Sequence, residues 1–528
     1  MSKGGMKRRT FGALTAGAVV AGSLPARAAD KVLRFVQNGN MTILDPIWTT
    51  AYVTRTHGYF IYDTLFSMDA NNEVKPQMVE KYEVSADKTL WTFHLRDGLA
   101  WHDGTPVTSE DCIPSIKRWG ARDAMGLKLM DFIKEFKAVD AKTFTMQLKE
   151  PYGLVLESLG KPSSNVPFMM PKKIAETDPF KQIDSQMGSG PFIYVNAESK
   201  PGEKHVYVKN TKYKPRSEPP SGLAGGKVVK VERVEIIEMP DTQQQVNAII
   251  AGEIDLIEQP PHDLIPIMKA DKNVQMVDWN PLGQQFVYRM NHLQPPFNNP
   301  KIRQAALLCI EQEEYLKATV GEPQYYKVSS AAFIGGTPNA FDAPDGLFVK
   351  PNYEKAKALL KEAGYDGTPV VLMQSTTLAV LTNTAPVTKS QLEKGGFKVD
   401  MQSMDWQTQV SRRAKKVPVD QGGWNVSMTA ASAVLLTDPI VNHYTEASGD
   451  RAQFGWPLDE EIEKMRMEFV RESDPKKQFA LAEQIQKRVL DLGVTVPLGQ
   501  FVQPMARRKT VSGNVASPVT VFWNVEKK

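Results

Sequence analysis

The stretch Lys88–Asp97 alternates between apolar and polar positions, with three large apolar residues on one face: Trp91, Phe93 and Leu95. This period of two is typical of a half-buried strand. Leu99–His102 predicts a second short strand between two Asp-Gly turns. Thr108–Asp111 has the pattern of a capping box and predicts the start of a helix, in which Pro114 is expected to distort or shorten the first turn.

Apolar residues at helical spacing recur along the rest of the chain. Helices are predicted after the capping residues Asp241, Asn299 and Asp474. A further helix is predicted along the apolar stripe of Tyr353–Ala363. Gly252 ends the first of these helices, and Ile254–Leu256 after it predicts a strand. Strands that alternate with helices in this way favour α/β lobes in which helices cover the sheets.

The length of the chain predicts more than one folding unit. Its 528 residues exceed the roughly 250 to 300 that one hydrophobic core usually supports, so we expect at least two lobes. Hydrophobic residues make up 41% of the chain and charged residues 23%, which argues against a disordered chain and against a membrane bundle.

The first residues predict an export signal that is removed from the folded protein. Met6–Phe11 is basic, Gly12–Gly22 is apolar, and Ala26–Ala28 has the pattern of a cleavage site. We expect cleavage after Ala28, because the apolar stretch is shorter than the about 20 residues that a membrane-spanning helix needs. Its paired arginines resemble a twin-arginine signal, and a general secretory signal remains the alternative.

Removal of this signal changes the charge balance. The full chain carries 64 basic and 60 acidic residues, and the first 28 residues hold five basic and no acidic ones. The remaining 59 basic side chains therefore face 60 acidic ones. Nothing in this balance predicts a nucleic-acid partner.

The chain has two cysteines, Cys112 and Cys309. An oxidising compartment would allow them to pair. Cys309, however, shares the helical register of Ile302, Ala305 and Ala306, so we expect it to lie in a core. No cysteine lies next to the predicted cleavage site, which argues against a lipid anchor.

The motifs of several enzyme classes are missing from the sequence. It has no His-Glu-x-x-His, no Gly-x-Ser-x-Gly and no Cys-x-x-Cys, and its seven histidines are scattered. His94 and His102 could approach each other across a turn, but further metal ligands are missing from the sequence around them. We therefore expect no metal and no cofactor, and a secreted hydrolase of small peptides or conjugates is kept as an alternative class.

Seven motifs in order resemble the bacterial extracellular solute-binding proteins of family 5, the dipeptide-, oligopeptide- and nickel-binding receptors of ABC importers. They are Tyr62–Leu65, Val79–Cys112, Gly188–Phe192, Gln245–Ile257, Asn291–Ile310, Tyr353–Tyr365 and Val496–Leu498. The second of them is similar to the signature region of the family almost position for position. Its aromatic residues mark the fold, and we do not expect them to contact a ligand.

The resemblance implies an α/β fold of two lobes, the type II periplasmic-binding-protein (Venus flytrap) fold, with an extra subdomain inserted in lobe I. It also implies a soluble periplasmic receptor without enzymatic activity, which acts as a monomer and delivers a small, peptide-like solute to the permease subunits of an ABC importer. The implied segments are the signal at 1–28, lobe I at 29–65, 187–283 and 499–528, the inserted subdomain at 66–186, and lobe II at 284–498.

Peptide-binding members of this family hold the amino group of the ligand with an acidic residue in a Gly-Trp-x-x-Asp pattern. The matching stretch here is Gly423–Ser427, in which Ser427 stands at the acidic position. Because a hydroxyl cannot supply the missing charge, we expect a ligand without a free amino group. The residues predicted to contact it are Trp424, Asn425 and Ser427, with Asn38 and Gln285 as weaker candidates. A core tryptophan followed by a turn is the alternative for this stretch, and Trp406 is expected to pack rather than to line the cleft.

Overall fold

The computed structural model describes residues 32–342 and 346–528, so the predicted export signal lies outside the described residues. The strands are Val32–Val36 (β1), Phe66–Met68 (β2), Val74–Pro76 (β3), Val79–Val84 (β4), Leu90–Leu95 (β5), Ile133–Ala138 (β6), Thr143–Leu148 (β7), Phe192–Tyr194 (β8), Lys204–Lys209 (β9), Arg233–Ile237 (β10), Leu256–Ile257 (β11), Val274–Val277 (β12), Gln284–Met290 (β13), Tyr326–Lys327 (β14), Val370–Ser375 (β15), Val399–Met404 (β16), Val426–Ser432 (β17), Val496–Phe501 (β18), Met505–Arg508 (β19), Val511–Ser512 (β20) and Glu526–Lys527 (β21).

The α-helices include those predicted from the capping residues and from the apolar stripe. They are Tyr52–Ile61 (α1), Ser109–Gly120 (α2), Ala124–Phe132 (α3), Val155–Leu159 (α4), Lys172–Ala175 (α5), Thr242–Ala251 (α6), Ile265–Ala270 (α7), Pro300–Leu307 (α8), Gln312–Thr319 (α9), Tyr353–Glu362 (α10), Ala379–Thr382 (α11), Thr384–Lys394 (α12), Trp406–Arg413 (α13), Glu460–Arg471 (α14) and Pro475–Asp491 (α15). The side chains of Asp241, Asn299 and Asp474 each accept a backbone hydrogen bond at the start of their helix. Local sequence therefore determines where these helices begin.

A seven-stranded sheet forms the centre of lobe I. Its strand order is β12-β19-β11-β1-β10-β9-β8. β1 runs parallel to β10 and β11, so these three strands end at the same edge of the sheet. β19 comes from the end of the chain, lies between β11 and β12, and is antiparallel to both.

A six-stranded sheet, in the order β14-β18-β13-β17-β15-β16, forms the centre of lobe II. β15 is parallel to β16 and to β17. The chain enters lobe II between β12 and β13 and returns between β18 and β19. The predicted boundary at residue 498 falls inside β18, which pairs within the lobe II sheet up to Phe501.

The two crossings come close together at Gly283, which has a φ of +65°. A Cβ at this position would lie 2.1 Å from the carbonyl oxygen of Phe501. Only glycine combines this backbone conformation with so close an approach. The two chain segments between the lobes therefore run side by side at this point.

The inserted subdomain of lobe I has a sheet of its own, in the order β4-β5-β7-β6, with α2 and α3 packed nearby. The predicted capping box is present, since the Asp111 carboxylate accepts hydrogen bonds from the backbone amide and the hydroxyl of Thr108. Pro114 is accommodated inside α2 without ending it.

The prediction of a strand at Leu99–His102 is wrong. This segment forms turns with a single bridge from Ala100 to Pro106. The Asp103 carboxylate accepts hydrogen bonds from the amide and hydroxyl of Thr105, which fixes a tight turn in place of a longer ladder.

Both cysteines are buried and free. Cys112 lies in the large apolar cluster of lobe I, whereas Cys309 lies in that of lobe II with Ile302, Ala305 and Ala306. The core position predicted for Cys309 from its helical register is confirmed.

The two lobes also touch far from the crossings. The backbone amide of Gly153, in the inserted subdomain, donates a hydrogen bond of 2.7 Å to the carbonyl oxygen of Val470 at the end of α14. Phe469 on α14 belongs to the same apolar cluster as Phe132 of the inserted subdomain. A Cβ at position 153 would lie 2.2 Å from the carbonyl oxygen of Glu472, so the contact depends on glycine.

Candidate functional site

A cavity of about 970 Å³ lies between the two lobes. Lobe I lines it with the segments that follow its three parallel strands: Gln37–Asn40 after β1, Glu238–Pro240 after β10, and Gln259 after β11. Since parallel strands end at one edge of a sheet, these segments form a continuous wall. Open α/β sheets bind ligands at this edge.

Lobe II lines the opposite wall in a similar way. Thr377 and Leu378 follow β15, Trp406 follows β16, and Thr429 lies on β17. The end of α9 adds Lys317–Glu322. Both lobes therefore point the carboxyl ends of parallel strands at the same space, so one small molecule there could contact both.

Tyr52, the first residue of α1, lines the cavity from lobe I. The backbone of Ser432 in lobe II lowers the pKa of its phenol, an effect that burial outweighs. Burial raises the pKa of Tyr52, which keeps the phenol neutral. The guanidinium carbon of Arg55 lies 4.5 Å from the centre of the Tyr52 ring.

Glu238 lines the cavity as an acidic residue, but its carboxylate is engaged within lobe I. Its Oε1 accepts hydrogen bonds from the backbone amide of Met41 at 3.1 Å and from Nε2 of His205 at 3.0 Å. Only 3% of the Glu238 side chain is exposed. This carboxylate is therefore poorly placed to serve as the acidic anchor that the sequence lacks at position 427.

The structure places Trp424 and Asn425 away from the cavity wall. The Trp424 side chain is fully buried in a small apolar cluster with Met373 and Trp456, and its indole NH donates to the carbonyl oxygen of Arg413 at 3.1 Å. The Asn425 side chain accepts from the Val371 amide and donates to the Pro295 carbonyl, both at 2.8 Å. Both side chains hold the lobe II sheet to its surroundings, which matches the packing alternative for this stretch.

The other three predicted contact residues are divided between the cavity and the core. Asn38 lines the cavity, and its amide group donates to Oε1 of Gln259 at 2.7 Å. Ser427 is 5% exposed and lies opposite Arg289 in the ladder between β13 and β17. Gln285 is buried and donates to the carbonyl oxygen of Ala331. Neither of these last two lines the cavity.

Several cavity residues escaped the sequence reasoning, among them Tyr52, Glu238, Thr377 and Thr429. Trp406, which was expected to pack, lines the cavity as well. The signal that would have found Glu238, Thr377 and Trp406 is positional, because these residues lie just after strands that the hydrophobic pattern can predict. The sequence does not reveal which of those strands are parallel neighbours.

Among residues 32–342 and 346–528, no group of three or more His, Cys, Asp or Glu side chains is arranged to hold a metal ion. No helix within the same ranges has the length and apolar character needed to cross a membrane.

Comparison with known proteins gives consistent results. The family model described as bacterial extracellular solute-binding proteins, family 5 Middle, matches residues 73–440. A probable peptide ABC transporter periplasmic-binding protein, y4tO of Sinorhizobium fredii (strain NBRC 101917 / NGR234), is 40% identical over 506 residues, which cover 95% of this chain and 94% of that protein.

Solved structures share the fold along nearly the whole chain. The protein AgaA of A. tumefaciens R10, in complex with agropinic acid, has a TM-score of 0.77 at 22% identity. The match covers 94% of this chain and 99% of AgaA. DppA of Helicobacter pylori, in complex with the peptide STSA, has a TM-score of 0.77 at 21% identity, covering 95% of this chain and 99% of that one. These matches confirm the two-lobed type II fold.

Proposed function

Because the chain belongs to the bacterial extracellular solute-binding proteins of family 5, we propose that it captures a small organic solute between its lobes and delivers it to the permease subunits of an ABC importer. The observation that carries this proposal is the cavity of about 970 Å³, whose walls are the carboxyl ends of parallel strands from both lobes. A volume of this size accommodates a drug-sized or peptide-sized molecule.

Capture by a protein of this shape needs no chemical step. A ligand that contacts both walls binds the closed arrangement more tightly than an open one, and it shifts the population towards closure by that difference in affinity. The two adjacent crossings at Gly283 and Phe501 supply the hinge. The permease then recognises the closed, loaded form, and the protein works in the periplasm as a monomer.

We infer that the solute is peptide-like or related to peptides and lacks a free amino group. The relative in Sinorhizobium fredii is named a probable peptide-binding protein, which supports the first half of this inference. The second half rests on Ser427 at the acidic position of the family pattern, and on the engagement of Glu238 within its own lobe. An ammonium placed beside the Ser427 hydroxyl would lose its hydration there without gaining an anion.

The test begins with purified protein from which residues 1–28 are removed. Denaturation followed by mass spectrometry of the released small molecules identifies a bound solute. Titration of the refolded protein with that compound, followed by tryptophan fluorescence, should show a stoichiometric change without turnover.

Accumulation of a reaction product on prolonged incubation would contradict a receptor and favour a hydrolase. For the solute class, dipeptides are compared with the same dipeptides after N-acetylation. Tight binding of the free-amine set alone would refute the inference drawn from Ser427.

A further inference from the structure

Carboxamide groups are the most frequent polar groups on the walls of the cavity between the lobes. Among the described residues that line it, eight are asparagine or glutamine, whereas four carry a charged side chain, and arginine is absent from this set. What the cavity can offer to a charged solute therefore depends on whether those four side chains are already paired.

Three of the four charged side chains are paired within the protein. The Glu238 carboxylate is engaged in lobe I. Glu322 forms an ion pair of 3.4 Å with Lys269, and Lys317 forms one of 3.0 Å with a glutamate one turn earlier on α9. The fourth, Asp263, is exposed to solvent. None of the four therefore offers a solute a charge that is both buried and unpaired.

The helix N termini at the cavity are occupied as well. α6 begins at Thr242 and α13 begins at Trp406, and both residues line the cavity. The side chains of Asp241 and Asp405 each accept a backbone hydrogen bond in the first turn of these helices. A carboxylate on the solute would meet a like charge at both N termini instead of an uncompensated helix dipole.

Several of the carboxamides are held in place by one hydrogen bond from their nitrogen to a backbone carbonyl oxygen of the protein. These bonds join Gln245 to Met239 at 2.6 Å, Asn383 to Ala318 at 2.7 Å, and Gln503 to Pro260 at 3.1 Å. One such bond uses one of the two N–H donors of an amide and none of the lone pairs of its oxygen. Walls of this kind suit solute groups that both donate and accept hydrogen bonds, as a peptide group does.

Gln37, directly after β1, lines the cavity with a carboxamide that lacks such a bond. The residue is 6% exposed. Its amide nitrogen and oxygen are closed to solvent, and neither has a hydrogen-bond partner within residues 32–342 and 346–528. An apolar side chain of similar shape would avoid the loss of hydration that these two atoms suffer. A solute in the cavity can supply the partner that the protein does not.

We propose that the solute carries no charge and that the carboxamides of the cavity bind its peptide groups. The inference rests on the proposed function and narrows its peptide-like solute to one in which the carboxyl end, like the amino end, is blocked or absent. A charged end would give up hydration in a cavity whose charges are paired or exposed. A peptide group gives up less and finds amide donors and acceptors in return.

The experiment compares matched compounds and matched variants. The probes are four forms of each of several dipeptides: the free peptide, the N-acetyl acid, the methylamide with a free amine, and the N-acetyl methylamide. They are titrated against the protein of residues 29–528. The variant Gln37→Leu removes a carboxamide from the cavity, and Gln304→Leu is its control at an exposed position on α8 outside the cavity. Thermal unfolding of each variant without probe establishes that it is folded.

We expect the N-acetyl methylamide to bind the wild-type protein most tightly, and each restored charge to weaken binding by about 10-fold or more. Gln37→Leu should weaken binding of the N-acetyl methylamide by roughly 5- to 30-fold. Without probe, this variant should unfold at the same temperature as the wild type or a higher one, because it loses two unpaired buried polar atoms. A merely structural role for Gln37 would lower that temperature. Gln304→Leu should bind like wild type.

A charged form that binds as tightly as the N-acetyl methylamide overturns the inference and leaves the receptor function intact. Unchanged affinity of Gln37→Leu has the same effect, and so does release of a charged solute from the denatured wild-type protein. If none of the four forms binds the wild type, the peptide-like solute of the proposed function is refuted together with this inference. The receptor function itself fails separately, through accumulation of a reaction product.

Discussion

The contact between Gly153 and the end of α14 offers a way to perturb closure without touching the cavity. In Gly153→Ala the new Cβ would lie 2.2 Å from the carbonyl oxygen of Glu472 and 3.2 Å from that of Val470. Both neighbours are backbone atoms, which cannot rotate away. The two segments must therefore separate by roughly 1 Å before the carbon reaches an ordinary contact distance.

This separation has a cost that can be estimated. The hydrogen bond from the Gly153 amide to the Val470 carbonyl is 2.7 Å long, and a displacement of about 1 Å takes it beyond the range of a hydrogen bond. Loss of a hydrogen bond whose acceptor residue, Val470, is buried costs about 1 to 2 kcal/mol. Since the contact joins the inserted subdomain to lobe II, this cost applies to the closed arrangement, and the apparent affinity should fall roughly 5- to 30-fold.

The assay is titration with the solute released from the wild-type protein, together with small-angle scattering with and without that solute. Gly153→Ala should show the weaker binding and a smaller compaction on addition of solute. Gly202→Ala is the control, because Gly202 has a φ of +83° and no atom within 4 Å of its Cβ position. Alanine there strains the backbone by about 1 kcal/mol and should lower stability without changing affinity. An affinity of Gly153→Ala within twofold of wild type would refute the closure argument.

Three further predictions concern stability and reactivity. Lys227→Met should lower the free energy of unfolding in urea by about 3 to 5 kcal/mol, because it leaves the buried Asp63 carboxylate without the ammonium that now lies 2.7 Å away; a loss below 1 kcal/mol would contradict this. Burial lowers the pKa of His57 from 6.5 to about 4. As the pH falls below 6.5, this side chain takes up a proton in the unfolded chain, but in the native state it does so only near pH 4. The free energy of unfolding should therefore fall over that range, and His57→Gln should remove about 3 kcal/mol of the loss; an unchanged pH dependence in the variant would be inconsistent with this cause. Burial raises the pKa of Cys309 to about 12, and Cys112 is also buried. Neither thiol should therefore react with a thiol reagent until the protein is denatured. Labelling of either cysteine in the native protein would disprove this prediction.

The sequence predicts local structure well where the determining interactions are local. Asp241, Asn299 and Asp474 cap their helices through hydrogen bonds that span two or three residues, so the pattern is visible in a short window. The failed strand at Leu99–His102 shows the limit of this approach. A strand requires a partner, and the Asp103 turn leaves this segment with a single bridge.

The candidate site was harder to predict because it depends on which strands become neighbours. Trp424 has the aromatic character of a ligand contact, but its neighbours Met373 and Trp456, far from it in sequence, enclose it in the core.

The position of β19 has a consequence for biosynthesis. This strand, residues 505–508, lies between β11 and β12 in the lobe I sheet, and Lys527 donates to the carbonyl oxygen of Val32 in β1. Lobe I thus contains both the first described strand and nearly the last residues of the chain. Lobe II is made from one continuous segment, whereas the lobe I sheet cannot join β11 to β12 until β19, which follows all of lobe II in the chain, takes its place between them.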